Sequence, residues 1–250
     1  MTQSGNGVAT AAERLVRYLF DRVPPTDAGV GSTPDPAPFE AELAGWLSTS
    51  ARYRAFVEAN RDKVRKKLRT TPAPEARRDV RAELLTARLL TGDKRIELGF
   101  EAYGSGKPGP DFTVAFLGER AFNLEVTRPR RAPEAGLESQ LLAKLRQLPA
   151  GAANAVLLAI EGGRADPADV DADVHTLRRL ADRRDDLFFT GRGFDSAHGF
   201  YDRFLRLGGV YLFSETATGP ERAALWINRS ARIALPERPA RACLQALRSE

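Results

Sequence analysis

The sequence is poor in the residues that staple or metallate small domains. It has one cysteine, Cys243, which excludes an internal disulfide. With only two histidines, His175 and His198, a structural zinc site of cysteine and histidine ligands is also excluded. No run approaches the ~18–20 apolar residues of a membrane span, and the first residues lack the basic-then-apolar pattern of a secretory signal. A cytoplasmic location with no membrane partner is the expectation. Lysine is scarce in the second half: Lys144 is the only one after Lys107, among cations that are otherwise arginine. What the chain does have is 250 residues, 42% of them hydrophobic, enough for one large domain or one domain with an appendage.

Its formal charge of +5 is too mild to indicate nucleic acid, but it is unevenly placed. Residues 51–82 carry eleven basic and four acidic side chains, a net of +7, while residues 1–50 are net −3 and the remainder +1. Lys63, Arg65, Lys66, Lys67 and Arg69 are the densest part. Such a run is either an electrostatic footprint for phosphates or a solvated helix face.

Apolar spacing predicts helices over 9–23, 39–47 and 52–69, the first stopped by Pro24-Pro25. Residues 24–38 hold five prolines and two glycines and read as an extended linker. Pro72 and Pro74 punctuate the chain again. They suggest a helical N-terminal region, 1–71, and a core of mixed periodicity, 72–250. These N-terminal helices are a candidate surface for a second copy of the chain or another protein.

The core begins with a helix over 76–90, closed by Gly92. Strands follow over 96–103, 111–117 and 121–127, the last two joined by a glycine-first turn at Gly118-Glu119. A helix over 137–148 leads to an all-apolar strand at 155–160, of the kind buried on both faces. A helix over 170–182, strands at 210–214 and 224–228, and a closing helix at 239–247 complete an α/β order: α-β-β-β-α-β with additions.

Several familiar motifs do not hold. The stretch from Gly104 to Lys107 lacks phosphate-loop spacing, and Pro108 follows the lysine, so it reads as a turn. Asp169, Asp171 and Asp173 lack the glycine and bidentate glutamate of a calcium loop, and suit a helix N-terminus instead. There is no Gly-x-Ser-x-Gly elbow. Cys243 on its amphipathic helix reads as core, and His198, within the glycine-rich stretch 190–199, as a surface loop residue.

One constellation stands out. Along a strand, Asn123, Glu125 and Thr127 share one face, and Phe122, Leu124 and Val126 the other. Asp111 and Thr113 alternate with Phe112, Val114 and Phe116 in the same way. A hairpin with one apolar face thus carries two carboxylates on its second face, and Glu83, on the preceding helix, has the sequence order to add a third. Clustered carboxylates call for a hard cation such as Mg²⁺ or Mn²⁺.

The order Glu83, Pro110-Asp111 and Glu125-x-Thr127 on α-β-β-β-α-β resembles the PD-(D/E)XK nuclease superfamily, with its restriction-endonuclease-like mixed sheet. The resemblance covers about residues 76–160. It implies a metal-dependent phosphodiester hydrolase acting on nucleic acid, DNA first of all. Asp111, Glu125, the carbonyl of Val126 and Glu83 would hold Mg²⁺ or Mn²⁺. Thr127 departs from the family's lysine, and family members can supply that lysine from the next helix, where Lys144 stands. At about 100° per residue, Gln140, Lys144 and Gln147 share a narrow face beside Leu137, Leu141, Leu145 and Leu148; the other reading of that row is an exposed polar face. Arg128, Arg130 and Arg131 would hold flanking phosphates, as would Lys63, Arg65, Lys66 and Lys67. The alternative, on the same fold, is a catalytically inactive nucleic-acid-binding or scaffold protein. A third reading makes the helical N-terminus the working part.

Overall fold

The computed structural model describes residues 9–21, 39–71, 73–102, 109–129, 137–161, 163 and 166–249. The chain divides into two compact units, Met1–Leu84 and Leu85–Glu250.

Four helices and most of a fifth build the first unit. α1 (Ala11–Phe20) buries Ala12, Leu15, Val16 and Leu19, and a reciprocal Thr10–Glu13 capping box opens it. α2 (Phe39–Thr49) buries Leu43, Trp46 and Leu47. The single helix suggested over 52–69 is in fact two, α3 (Ala51–Ala59) and α4 (Arg61–Thr70). Asn60 makes the break. Its side-chain amide donates to the Phe56 carbonyl at 2.9 Å, and its backbone leaves the helical region with φ −113° and ψ 14°. Asparagine competes with the helix in this way because its short amide reaches the preceding turn. α5 (Pro74–Gly92) then runs for 19 residues. The division between the units falls inside this helix, beyond the proline punctuation near 72. The linker at 24–38 lies outside the described residues.

The second unit is an α/β layer built on an open, mixed, six-stranded sheet. Its strands are β1 (Ile96–Phe100), β2 (Phe112–Phe116), β3 (Phe122–Thr127), β4 (Asn154–Ile160), β5 (Leu207–Ser214) and β6 (Ala223–Ile227), and they lie in sequence order. β1, β2 and β3 pair antiparallel, β3, β4 and β5 parallel, and β6 returns antiparallel to β5. The parallel crossovers are made by α6 (Glu138–Leu145) and by α7 (Pro167–Asp182), α8 (Asp186–Thr190) and α9 (Ala197–Phe204). α10 (Glu237–Arg248) packs against β2 and β6 and ends the chain's helices. Among the described residues no helix is long and apolar enough to cross a membrane.

Burial explains the central strands. All of β5, and every residue of β4 except Ala159, is buried, as parallel strands covered on both faces must be. One face packs Val156, Leu158, Val210 and Leu212 against leucines of α6 and aromatics of α8 and α9. On the other, the Tyr211 hydroxyl donates to the Ala240 carbonyl of α10 at 3.0 Å. Cys243 is fully buried beside Tyr211, and burial pushes its thiol up to about 12, so it is core and not a nucleophile.

The stretch 190–199 is not simply a loop. Asp185 caps α8 and Ser196 caps α9, and Phe189, Phe194, Phe200 and Phe204 bury together between them. Packing of these rings overrides the poor helix propensity of the glycines. His198 consequently sits on a helix, exposed, 3.7 Å from Asp202.

β1 stops at Phe100 because Glu101 takes a left-handed φ of 45° while its N–H donates to the Asp111 carbonyl at 2.8 Å. The β2–β3 turn also differs from the glycine-first expectation. Its central residues are Leu117 and Gly118, at φ 50° and 74°, with the Glu119 N–H donating to the Phe116 carbonyl at 3.0 Å. Two left-handed residues match the strand twist best when the first is asparagine. Leu117 is 57% exposed, so its side chain adds little to the core. Leu117→Asn is therefore expected to raise stability by about 1 kcal/mol, read as an upward shift in Tm.

Candidate active site at the end of β3

The antiparallel register places Phe112 opposite Leu124, so the next pair outward is Asp111 and Glu125. Alternation puts both side chains on the face that carries Thr113 and Asn123. The Val126 N–H donates to Asp111 Oδ2 at 2.8 Å, which fixes the carboxylate against the last residues of β3. Glu125 is buried, its side chain 5% exposed, because α6 lies over this face. α6 is seated by Leu141, Leu142 and Leu145, and Lys144 stands beside that apolar stripe. Its stem runs along the packed face and its ammonium donates to Glu125 Oε1 at 2.6 Å. The second carboxylate oxygen, Oε2, is shut off from solvent as well. Three side chains picked from the sequence thus stand together: Asp111, Glu125 and Lys144.

A polar layer beneath them was not anticipated. Asn123 Nδ2 donates to Asn154 Oδ1 at 2.9 Å, and Thr113 Oγ1 donates to Asn123 Oδ1 at 3.4 Å. Asn154 Nδ2 in turn faces the carbonyls of Pro149, Ala152 and Arg206, each at 3.0 Å. The legible signal was Asn154 at the head of an all-apolar strand, and Asn123 two positions before Glu125.

The other anticipated residues are distributed differently. Glu83 belongs to the first unit, where it pairs with Lys67. Thr127 ends β3, partly exposed. The row of Gln140, Lys144 and Gln147 does not survive, because α6 ends at Leu145 and Gln147 falls in the following turn, exposed. Gln140 stays on the helix and accepts from the Ser139 hydroxyl at 2.9 Å. Arg128 is a correction: instead of an open phosphate contact it is buried, 4% exposed, with its guanidinium on Glu161 at 3.0 Å. The chain leaves β3 there and Glu161 closes β4 alongside it, so the pair ties two parallel strands at their ends. Arg130 and Arg131 lie outside the described residues, as does the stretch from Gly104 to Lys107.

Among the described residues no three histidine, cysteine, aspartate or glutamate side chains stand together as a metal cage. Asp111, Glu125 and the Val126 carbonyl remain an all-oxygen set of two carboxylates and one carbonyl. That set suits Mg²⁺, which keeps several of its waters and takes few protein ligands, and does not suit zinc. No protein-family model matches the chain, and neither a curated protein nor a solved structure does.

Proposed function

We propose that the chain is a Mg²⁺- or Mn²⁺-dependent phosphodiester hydrolase of the PD-(D/E)XK kind, acting on nucleic acid, DNA first of all. The observation that carries the reading is Lys144 reaching from α6 to Glu125, beside Asp111. It is the arrangement expected if a helix replaces the lysine missing at Thr127. The order α5-β1-β2-β3-α6-β4, with the hairpin antiparallel and β4 parallel to β3, supports the same reading.

In this reading Asp111, Glu125 and the Val126 carbonyl hold the cation. When bound, the metal makes a water a nucleophile near neutral pH and neutralises charge on the scissile phosphate. Glu125 meanwhile holds the Lys144 ammonium next to the reacting phosphate. From there Nζ donates hydrogen bonds to the phosphate oxygens, whose negative charge grows during in-line displacement. The Val126 N–H keeps the Asp111 carboxylate from rotating away, so the carboxylate is aimed before the substrate arrives.

A metal-binding measurement tests this. Mn²⁺ or Mg²⁺ is expected to stabilise the wild-type chain by mass action, by about 2.7 kcal/mol at a hundred times Kd, read as a rise in Tm. Asp111→Asn keeps an acceptor for the Val126 N–H while removing the charge. It should abolish both the rise and any metal-dependent cleavage of DNA. Equal responses in the two proteins would sink the proposed site. Metal binding without cleavage of any nucleic acid would favour the inactive binding protein.

A further inference from the structure

The +7 segment folds into something more specific than a charged helix. α1 and α4 pack side by side within the first unit and leave between them an open groove of about 490 Å³, lined by Tyr18, Asp62, Arg65, Lys66, Arg69 and Thr70. Three of those side chains are cations and one is an acid. The acid is partly spent, because the Tyr18 hydroxyl donates to Asp62. Arg65 is fixed from two sides: its guanidinium lies 4.5 Å from the centre of the Tyr18 ring and donates to Asp21 at 2.6 Å. Its Nε–H is closed off from solvent with no hydrogen-bond acceptor. Lys66 and Arg69 are exposed, nearly one helical turn apart. Lys67 does not line the groove and is paired with Glu83.

We infer that the α1–α4 groove is a phosphate-binding subsite for one single strand of nucleic acid, with Arg65 as its fixed cation and Lys66 and Arg69 as its exposed cations. The inference rests on the nuclease reading for the class of polyanion. The form of the site chooses the strand. Duplex phosphates are met by elements that protrude into or across a groove, whereas a recess with an aromatic wall and several cations admits a single backbone. Its volume is in the range of sites for one small ligand, so it accommodates about a nucleotide. Tyr18 enters the site although the sequence did not single it out for it. Lys63 and Lys67 leave it.

Fluorescence anisotropy with a labelled thymidine oligonucleotide, in EDTA so that no strand is cut, decides the matter. The Lys66→Ser/Arg69→Ser protein is expected to bind roughly tenfold more weakly at low salt and to lose about 1.4 from its log–log salt slope, about 0.7 for each phosphate contact. Both residues are exposed, so an unchanged melting curve verifies the fold. Lys66→Arg/Arg69→Lys should restore binding, and Lys63→Ser/Lys67→Ser should leave the slope alone. An unaltered slope in the first double variant overturns the inference. So does an equal loss on duplex DNA, or binding of inorganic phosphate with the oligonucleotide ignored. Metal-dependent cleavage is scored separately. Its absence in wild type, with the groove variants behaving as stated, removes the nuclease reading and leaves the strand site standing.

Discussion

Lys144→Ala is expected to cut metal-dependent cleavage by about a hundredfold or more, the scale of losing one preorganised donor to a developing negative charge. Affinity for uncleaved substrate should change little, since the interaction belongs to the transition state. The same variant should unfold more easily, because Glu125 is 5% exposed and its Oε1 loses the ammonium 2.6 Å away. Breaking a buried ion pair from one side costs about 3–5 kcal/mol, and the 20% exposure of Lys144 places the loss near the lower figure. The two effects separate under two conditions. Mn²⁺ should return stability without returning activity, by giving Glu125 another cation. Acid should shrink the stability deficit, because protonation removes the buried charge that the variant leaves uncompensated. The double variant Thr127→Lys/Lys144→Ala should regain part of both, since residue 127 shares the Glu125 face of β3. Wild-type turnover in Lys144→Ala would remove the lysine from the mechanism, and unchanged stability would mean that the ion pair does not form.

The second large effect is expected at Asn154, a neutral and fully buried side chain. Asn154→Ala deletes a side chain that accepts from Asn123 and faces three carbonyls, one of them Arg206, just before β5 begins. Each buried polar group left without a partner costs about 1–3 kcal/mol, so a total of at least about 3 kcal/mol is expected in urea unfolding. Asn154→Asp should do no better, as it sets a carboxylate against carbonyl oxygens. Asn123→Ala should cost less on its own, and the double variant should fall well short of the sum because the two amides share one bond. A loss under 1 kcal/mol at Asn154 would contradict the network.

The strands and their order were readable because their apolar alternation is strong. Phe112, Val114 and Phe116 announce a face, and the all-apolar 155–160 announces a strand covered on both sides. The carboxylates followed from the same alternation, and Lys144 from the resemblance, which implies a lysine on the next helix where residue 127 is not one. Other features turned on interactions that one sequence does not display. Asn60 splits a helix through its own amide, and the glycines of 190–199 are held in place by rings distant in sequence. Arg128 has the composition of a phosphate contact, yet strand pairing brings Glu161 to it. Gln147 failed with the helix end, the least legible feature of any periodic pattern.

The pairing of β4 with β5 has a consequence for how the chain is made. Three helices of chain separate those strands, while β1, β2 and β3 are joined in sequence. During synthesis the hairpins can zip as they emerge, but β4 must wait for the whole crossover before its second edge is covered. Its seven residues, NAVLLAI, are uncharged, free of proline and, apart from Asn154, apolar. That is the composition of a segment that templates aggregation while exposed. The interval between the emergence of β4 and the arrival of β5 is therefore the chain's most vulnerable moment. Low temperature or a holdase during expression should improve recovery of the folded protein more than any change at the site.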